Sequence, residues 1–200
     1  MNINVTDPMG FNQESLHAAE NFRLLLDAMA RPGRVLEVPV QDQKTSTLNA
    51  GAVMTMLALS DHETPVWLDQ DIRHEETIDF LRFHCGCPLV DETDQAMFAV
   101  LPSDTEKFME NEFSLGTPAY PDRSTTLVIQ VSGLGDDGSY VLSGPGIKST
   151  QSFHVEGLSS AFWNWRAKNN RSFPLGTDII LVTDDKLAAL PRTTQVREIA

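Results

Sequence analysis

Apolar residues 179–182, Ile179-Ile180-Leu181-Val182, form an unbroken run between the turn Phe173-Pro174-Leu175-Gly176 and the pair Asp184-Asp185. A short continuous run with such boundaries predicts a strand buried on both faces. Leu187, Leu190 and Pro191 follow and lead into Arg192-Thr193-Thr194, close to the end of the sequence. That much apolar surface predicts a C-terminal stretch docked in the core.

Elsewhere the period changes between helix and strand. Residues 1–12 show no pattern and read as loose. From Gln13 to Ala30, Leu16, Phe22, Leu25, Leu26 and Met29 recur at spacings of three and four, which predicts a helix ended by Pro32-Gly33. Val35 to Val40 alternates as a short strand. Thr45-Ser46-Thr47 offers N-cap hydroxyls for a largely buried helix over Leu48 to Leu59. Pro65-Val66-Trp67-Leu68 reads as a strand with proline at its first position. A helix over Glu75 to Cys85 places Ile78, Leu81 and Cys85 on one face and Arg82 and His84 elsewhere, with Gly86 as C-cap and Pro88 preventing continuation. Ala96 to Leu101 predicts a strand, Thr105 to Met109 a short helix, and Gly116-Thr117-Pro118 and Pro121-Asp122-Arg123-Ser124 two turns. Thr125 to Val131 is a buried strand. Asp136-Asp137-Gly138 reads as a hairpin turn that brings Tyr140-Val141-Leu142 back against it. A last helix, Leu158 to Lys168, carries Phe162, Trp163 and Trp165. Alternating helices and solid apolar strands predict an α/β fold, a single layered domain over residues 1–200 with a mixed sheet flanked by helices.

Composition narrows the functions open to this fold. Its 200 residues, 41% hydrophobic, suffice for a core without staples. A formal charge of −13 and a pI near 4.6 speak against nucleic acid and anionic membrane surfaces, which select clustered Lys and Arg. No apolar run approaches the roughly 20 residues of a membrane span. The N-terminus lacks the basic and apolar regions of a signal peptide. With only Cys85 and Cys87 as thiols, a reducing cytoplasm is expected.

Candidate chemistry is sparse. Cys85 and Cys87 with His84 suggest a metal cluster on paper, but two thiols at a helix end read more simply as buried, and no metal is expected. Ser143-Gly144-Pro145-Gly146 lacks the Lys-Ser/Thr of a phosphate loop and reads as a turn. Arg82 and His84 can hold a phosphate or phosphonate oxygen, or form a helix surface or subunit contact. Asp61, His62 and Glu63 offer acid–base groups without a second histidine at metal spacing or a nucleophile elbow. None of Lys44, Lys107, Lys148, Lys168 and Lys186 has the setting of a Schiff-base lysine, so no cofactor is expected. Arg192, Thr193 and Thr194 form the best polar cluster, suited to an anion, a cap or another subunit.

The chain resembles the PhnH family of the bacterial carbon–phosphorus lyase system. The resemblance rests on Phe22-Arg23-x-Leu25-Leu26-x-Ala28-Met29 with Pro32-Gly33; Thr64-Pro65-Val66-Trp67-Leu68; Leu81-Arg82-Phe83-His84 with Pro88-Leu89-Val90; and Ala96-x-Phe98-Ala99-Val100. It continues through Leu127-x-Ile129-Gln130-Val131, Gly144-x-Gly146-Ile147, Phe173-Pro174-Leu175-Gly176-x-Asp178 and Pro191-Arg192-Thr193-Thr194. It implies a fold similar to pyridoxal-phosphate-dependent transferases without the cofactor or its lysine. It also implies a homodimer that joins PhnG, PhnI and PhnJ subunits. In that assembly, with an ATP-binding partner, the adenine of ATP is replaced by a phosphonate to give ribose 1-methylphosphonate 5-triphosphate. Catalysis there is credited mainly to PhnI, so the resemblance implies an accessory subunit of a transferase, not catalytic alone. Arg82, His84, Arg192, Thr193 and Thr194 would be ligand or interface residues. The alternative is a free-standing binder or enzyme acting on a small phosphorylated ligand at Arg82, His84 and Arg192.

Overall fold

The computed structural model of the chain describes residues 13–39, 45–104 and 113–199. The segment 1–12, the short helix expected over Thr105–Met109, and Lys44 and Lys107 lie outside the described residues. The elements are α1 (Gln13–Ala30), β1 (Leu36–Glu37), α2 (Ala50–Leu59), β2 (Val66–Leu68), α3 (Glu75–His84), β3 (Leu89–Val90) and β4 (Phe98–Pro102). They continue as β5 (Thr126–Gln130), β6 (Gly133–Ser143), β7 (Gln151–Glu156), α4 (Ser160–Arg171), β8 (Asp178–Val182), β9 (Lys186–Leu190) and β10 (Gln195–Glu198).

Among the described residues this is an α/β fold of four α-helices, a mixed seven-stranded sheet and a three-stranded antiparallel sheet. The large sheet runs β1-β9-β8-β5-β4-β2-β3 and the small one β10-β6-β7. β8, β5, β4, β2 and β3 are mutually parallel, while β9 and β1 are antiparallel to their neighbours. The Ile179–Val182 run lies inside this sheet, with β9 on one side and β5 on the other. Because side chains alternate along a strand, the sheet separates two cores. Val66, Val100, Val128, Ile180 and Val182 face one core, packed with Leu25 of α1, Met54 of α2 and Leu81 of α3. Trp67, Leu101, Leu127, Ile179 and Leu181 face the other, packed with Phe162 of α4 and with Leu142 and Phe153 of the small sheet.

Local chemistry accounts for most boundaries. α2 begins at Ala50, not Leu48, because the side chain of Asn49 caps it, accepting from Ala52 N at 2.9 Å. The expected cap hydroxyls serve elsewhere. Thr45 Oγ1 accepts from Leu48 N, and Thr47 Oγ1 donates to Ile72 O. α3 ends one residue before the expected Cys85. Gly86, at φ +66°, returns its N–H to Leu81 O, the C-cap arrangement expected of it. In α1, Leu25 and Ala28 are buried, yet Phe22 and Leu26 of the expected apolar stripe are 44% and 52% exposed.

The expected hairpin is corrected. Asp136-Asp137-Gly138 does not turn the chain; it lies inside β6, which continues through it. Gly135 opposes His154 and Tyr140 opposes Phe153, so residues 136–139 form an irregularity with no counterpart in β7. Turn-forming residues here make a bulge, which needs the same backbone freedom. The actual return is the Gly144–Thr150 segment, and β5 pairs with β4 and β8 instead.

Candidate functional site

Arg192 follows β9, and its side chain is engaged on every nitrogen. Nε donates to Asp178 Oδ1 and Oδ2 at 3.1 and 3.2 Å, and Nη2 to Asp178 Oδ2 at 2.5 Å. Nη2 also reaches Ser124 Oγ at 2.5 Å, and Nη1 reaches the carbonyls of Pro121 (2.7 Å) and Pro174 (3.4 Å). Its backbone N–H donates to Asp178 Oδ1 at 2.7 Å. One guanidinium thereby ties the chain end to the starts of β5 and β8. A forked, nearly buried guanidinium with a carboxylate partner is a structural clamp.

Thr193 is half-buried. Thr194 is 1% exposed, and its carbonyl accepts from Arg166 Nη2 at 3.1 Å and Asn170 Nδ2 at 3.3 Å. Arg82 and His84 are exposed on α3, where the His84 ring lies 4.5 Å from Phe80 and 4.9 Å from Phe83, itself 85% exposed. Their neighbour Leu81 packs into the core on the face of the sheet opposite α4. The structure therefore groups Arg192, Thr193 and Thr194, and leaves Arg82 and His84 across the sheet from them.

A cavity of about 280 Å³ opens between α4 and β10, beside Thr194. Its walls include Tyr140, Trp163, Arg166, Asn170, Thr194 and Val196. Tyr140 reaches it because β6 pairs with β10, setting Tyr140 opposite Glu198. The Tyr140 and Trp163 rings lie 4.3 Å apart, tilted by 36°. Burial raises the Tyr140 phenol above its ordinary value, and the Glu198 carboxylate raises it further, while Trp163 acts in the opposite direction.

Arg166 is the residue that sequence reasoning missed. It is 2% exposed, and its Nη2 donates to the carbonyls of Leu190 (3.4 Å), Pro191 (2.5 Å) and Thr194 (3.1 Å). Burial lowers its pKa from 12.5 to about 10, against the opposing pull of Asp178, so it stays cationic at neutral pH. A signal was available. Arg166 follows Phe162 by four residues, so a helix that buries Phe162 turns Arg166 toward the same face.

The remaining candidates resolve as local structure. Asp61 accepts from Thr64 Oγ1 (2.7 Å) and Glu63 N (2.9 Å), which lowers its pKa and shapes the turn after α2. Cys85 is half-buried and Cys87 is buried, 3% exposed. A hydrogen bond between the thiols, together with burial, pushes the Cys85 pKa up, and the same bond lowers that of Cys87. Among the described residues no three His, Cys, Asp or Glu side chains stand together as a metal site. Lys186 Nζ donates to Leu134 O at 3.4 Å, and Lys168 is exposed on α4. The Ser143–Gly146 turn packs on the end of α1. It borders an open groove of about 390 Å³ lined by Arg31, Arg34, Lys148 and Asp136, in which both arginines pair with Asp27. No helix among the described residues is long and apolar enough to cross a membrane.

This α/β subunit-like chain, with a tied-down C-terminal arginine and a small cavity, belongs to the PhnH family of bacterial phosphonate metabolism proteins, whose profile matches residues 9–197. Among its relatives is the α-D-ribose 1-methylphosphonate 5-triphosphate synthase subunit PhnH of Rhizobium meliloti (strain 1021). That protein is 33% identical over 186 residues, 93% of each chain. HtxG of Stutzerimonas stutzeri, provisionally named a C-P lyase subunit, is 33% identical over 175 residues, 88% of this chain and 83% of that one.

Proposed function

We propose that this chain is a subunit of the α-D-ribose 1-methylphosphonate 5-triphosphate synthase of organic phosphonate catabolism. The observation that carries this is its end-to-end match to a chain of that role, 93% of both lengths. It acts in the reducing cytoplasm as a homodimer, a single domain over residues 1–200 whose fold is like that of pyridoxal-phosphate-dependent transferases but works without their cofactor. Its companions are of the PhnG, PhnI and PhnJ type. Within that assembly it is an accessory component for the exchange of the adenine of ATP for a phosphonate. The internal engagement of Arg192 supports the accessory reading, since the strongest polar cluster of the sequence holds the fold together. Arg82 and His84, exposed beside Phe83 on α3, then serve as contact surface.

Reconstitution tests this reading. Partner subunits, ATP and methylphosphonate are combined with and without the chain, and adenine release is followed. Release should depend on the chain. An undiminished rate in its absence, or turnover by the chain alone, overturns the proposal.

A further inference from the structure

Buried cations are ordinarily paired, because a charge removed from water needs a counter-charge or a full set of hydrogen bonds. Among the described residues Arg166 has no ion-pair partner and no full set of hydrogen bonds. Nη2 is shared among three main-chain carbonyls, while Nε and Nη1, both buried, have no hydrogen-bond partner among the described residues. The carboxylate whose charge acts on it, Asp178, is ion-paired with Arg192. Thr194 Oγ1, buried on the same cavity, also has no partner. Arg166 and Thr194, each with buried polar atoms that no group among the described residues satisfies, thus both line one small cavity.

The rest of the lining defines the ligand. Tyr140 and Trp163 form an aromatic side, with Val196 and Ala167 adding apolar surface. Glu198 also lines the cavity, at the far end of β10 from Thr194, and its carboxylate raises the Tyr140 pKa. Its charge disfavours an anion there and directs a negative head group toward Arg166. The volume, about 280 Å³, is at the small end of ligand pockets, which run from roughly 300 Å³ upward, and suits a small molecule.

We infer that the cavity between α4 and β10 binds a small organic oxyanion, its charged head on Arg166 and Thr194 and its apolar body against Tyr140 and Trp163. Carboxylates, phosphates and phosphonates share this chemistry, and the pocket belongs to the isolated chain. The inference does not depend on the synthase reading, so either can fail alone.

The purified chain is titrated with benzoate, phenylphosphonate and the uncharged control benzamide, by calorimetry and tryptophan fluorescence. The oxyanions should bind with Kd near or below about 1 mM. Benzamide should bind at least about tenfold more weakly, the weight of a charge-assisted hydrogen bond. The stronger of benzoate and phenylphosphonate identifies a planar or a tetrahedral head. Trp163→Phe should remove the fluorescence response, leaving Trp67 and Trp165 in place. Arg166→Met should abolish binding. Should that variant not fold, Thr194→Val decides, since its hydroxyl has no partner among the described residues to lose, and it should weaken the oxyanions by about tenfold. Three results overturn the inference. Equal binding of benzamide and benzoate leaves only an apolar slot. A Trp163 response that arises only when partner subunits are added assigns the pocket to a protein contact. No response to any probe leaves Arg166 to be solvated by water.

Discussion

Replacing Arg192 by methionine keeps the length of the side chain and removes the fork that clamps the C-terminal stretch. The loss can be sized from its contacts. Arg192 and Asp178 have side chains 12% and 18% exposed, so solvent screens the pair weakly. Breaking a buried pair by deleting one partner costs about 3–5 kcal/mol, because the other charge is stranded. Asp178 keeps the backbone N–H of residue 192 at 2.7 Å, which places the estimate at the lower end, about 3 kcal/mol. For a chain of this size that is a fall in Tm of roughly 6–12 °C, measured by calorimetry and checked against the urea midpoint. Arg192→Lys should recover only part of it, because a lysine carries the charge but cannot span Asp178, Ser124 and the Pro121 carbonyl at once. Asp178→Asn should cost more than Arg192→Met, since it deprives Arg192 of its partner and Arg166 of the charge that opposes its desolvation. A shift of less than about 2 °C for Arg192→Met would refute the clamp, being under 1 kcal/mol at this chain length.

Gly146 sits at φ +84°, and a methyl there would overlap the carbonyl oxygen of Ala30 and lie 2.8 Å from Pro32 Cδ. Gly146→Ala should therefore cost at least about 2 kcal/mol, against about 1 kcal/mol for Gly86→Ala, where nothing lies within 4 Å. Equal costs in urea would show that the Ser143–Gly146 turn is not seated on the end of α1. With Tyr120→Phe, Tyr140 is the one tyrosine left, and its absorbance titration should fall above the ordinary phenol value of about 10. Because the folded pKa is the higher one, its contribution to stability is complete below about pH 10 and is lost as pH rises through the folded value. Glu198→Gln should lower the midpoint, and a midpoint at or below the ordinary value would contradict the burial of the ring.

What the sequence disclosed, and what it withheld, follows from the range of the forces involved. The Ile179–Val182 strand, α1 from Gln13 to Ala30 and the Gly86 cap were legible because each is decided within a few residues. The hairpin was misread because Asp136-Asp137-Gly138 carries turn chemistry locally, while its role is set by pairing with β7 and β10, neither of which had a strong pattern of its own. Strands β9 and β10 were missed for the same reason, being completed by β8 and β6. The arginines make the point most sharply. In the sequence Arg192 reads as an anion ligand, a cap or a subunit contact, and Arg166 draws no reading at all. Their roles diverge through acceptors delivered from elsewhere in the chain. Asp178, fourteen positions before Arg192, and Ser124, sixty-eight before it, saturate that guanidinium. The turn after β9 offers Arg166 only carbonyl oxygens. Carbonyls accept hydrogen bonds but do not neutralise a charge. Of the two cations it is therefore the one with fewer obvious marks in the sequence that retains charge to offer a ligand.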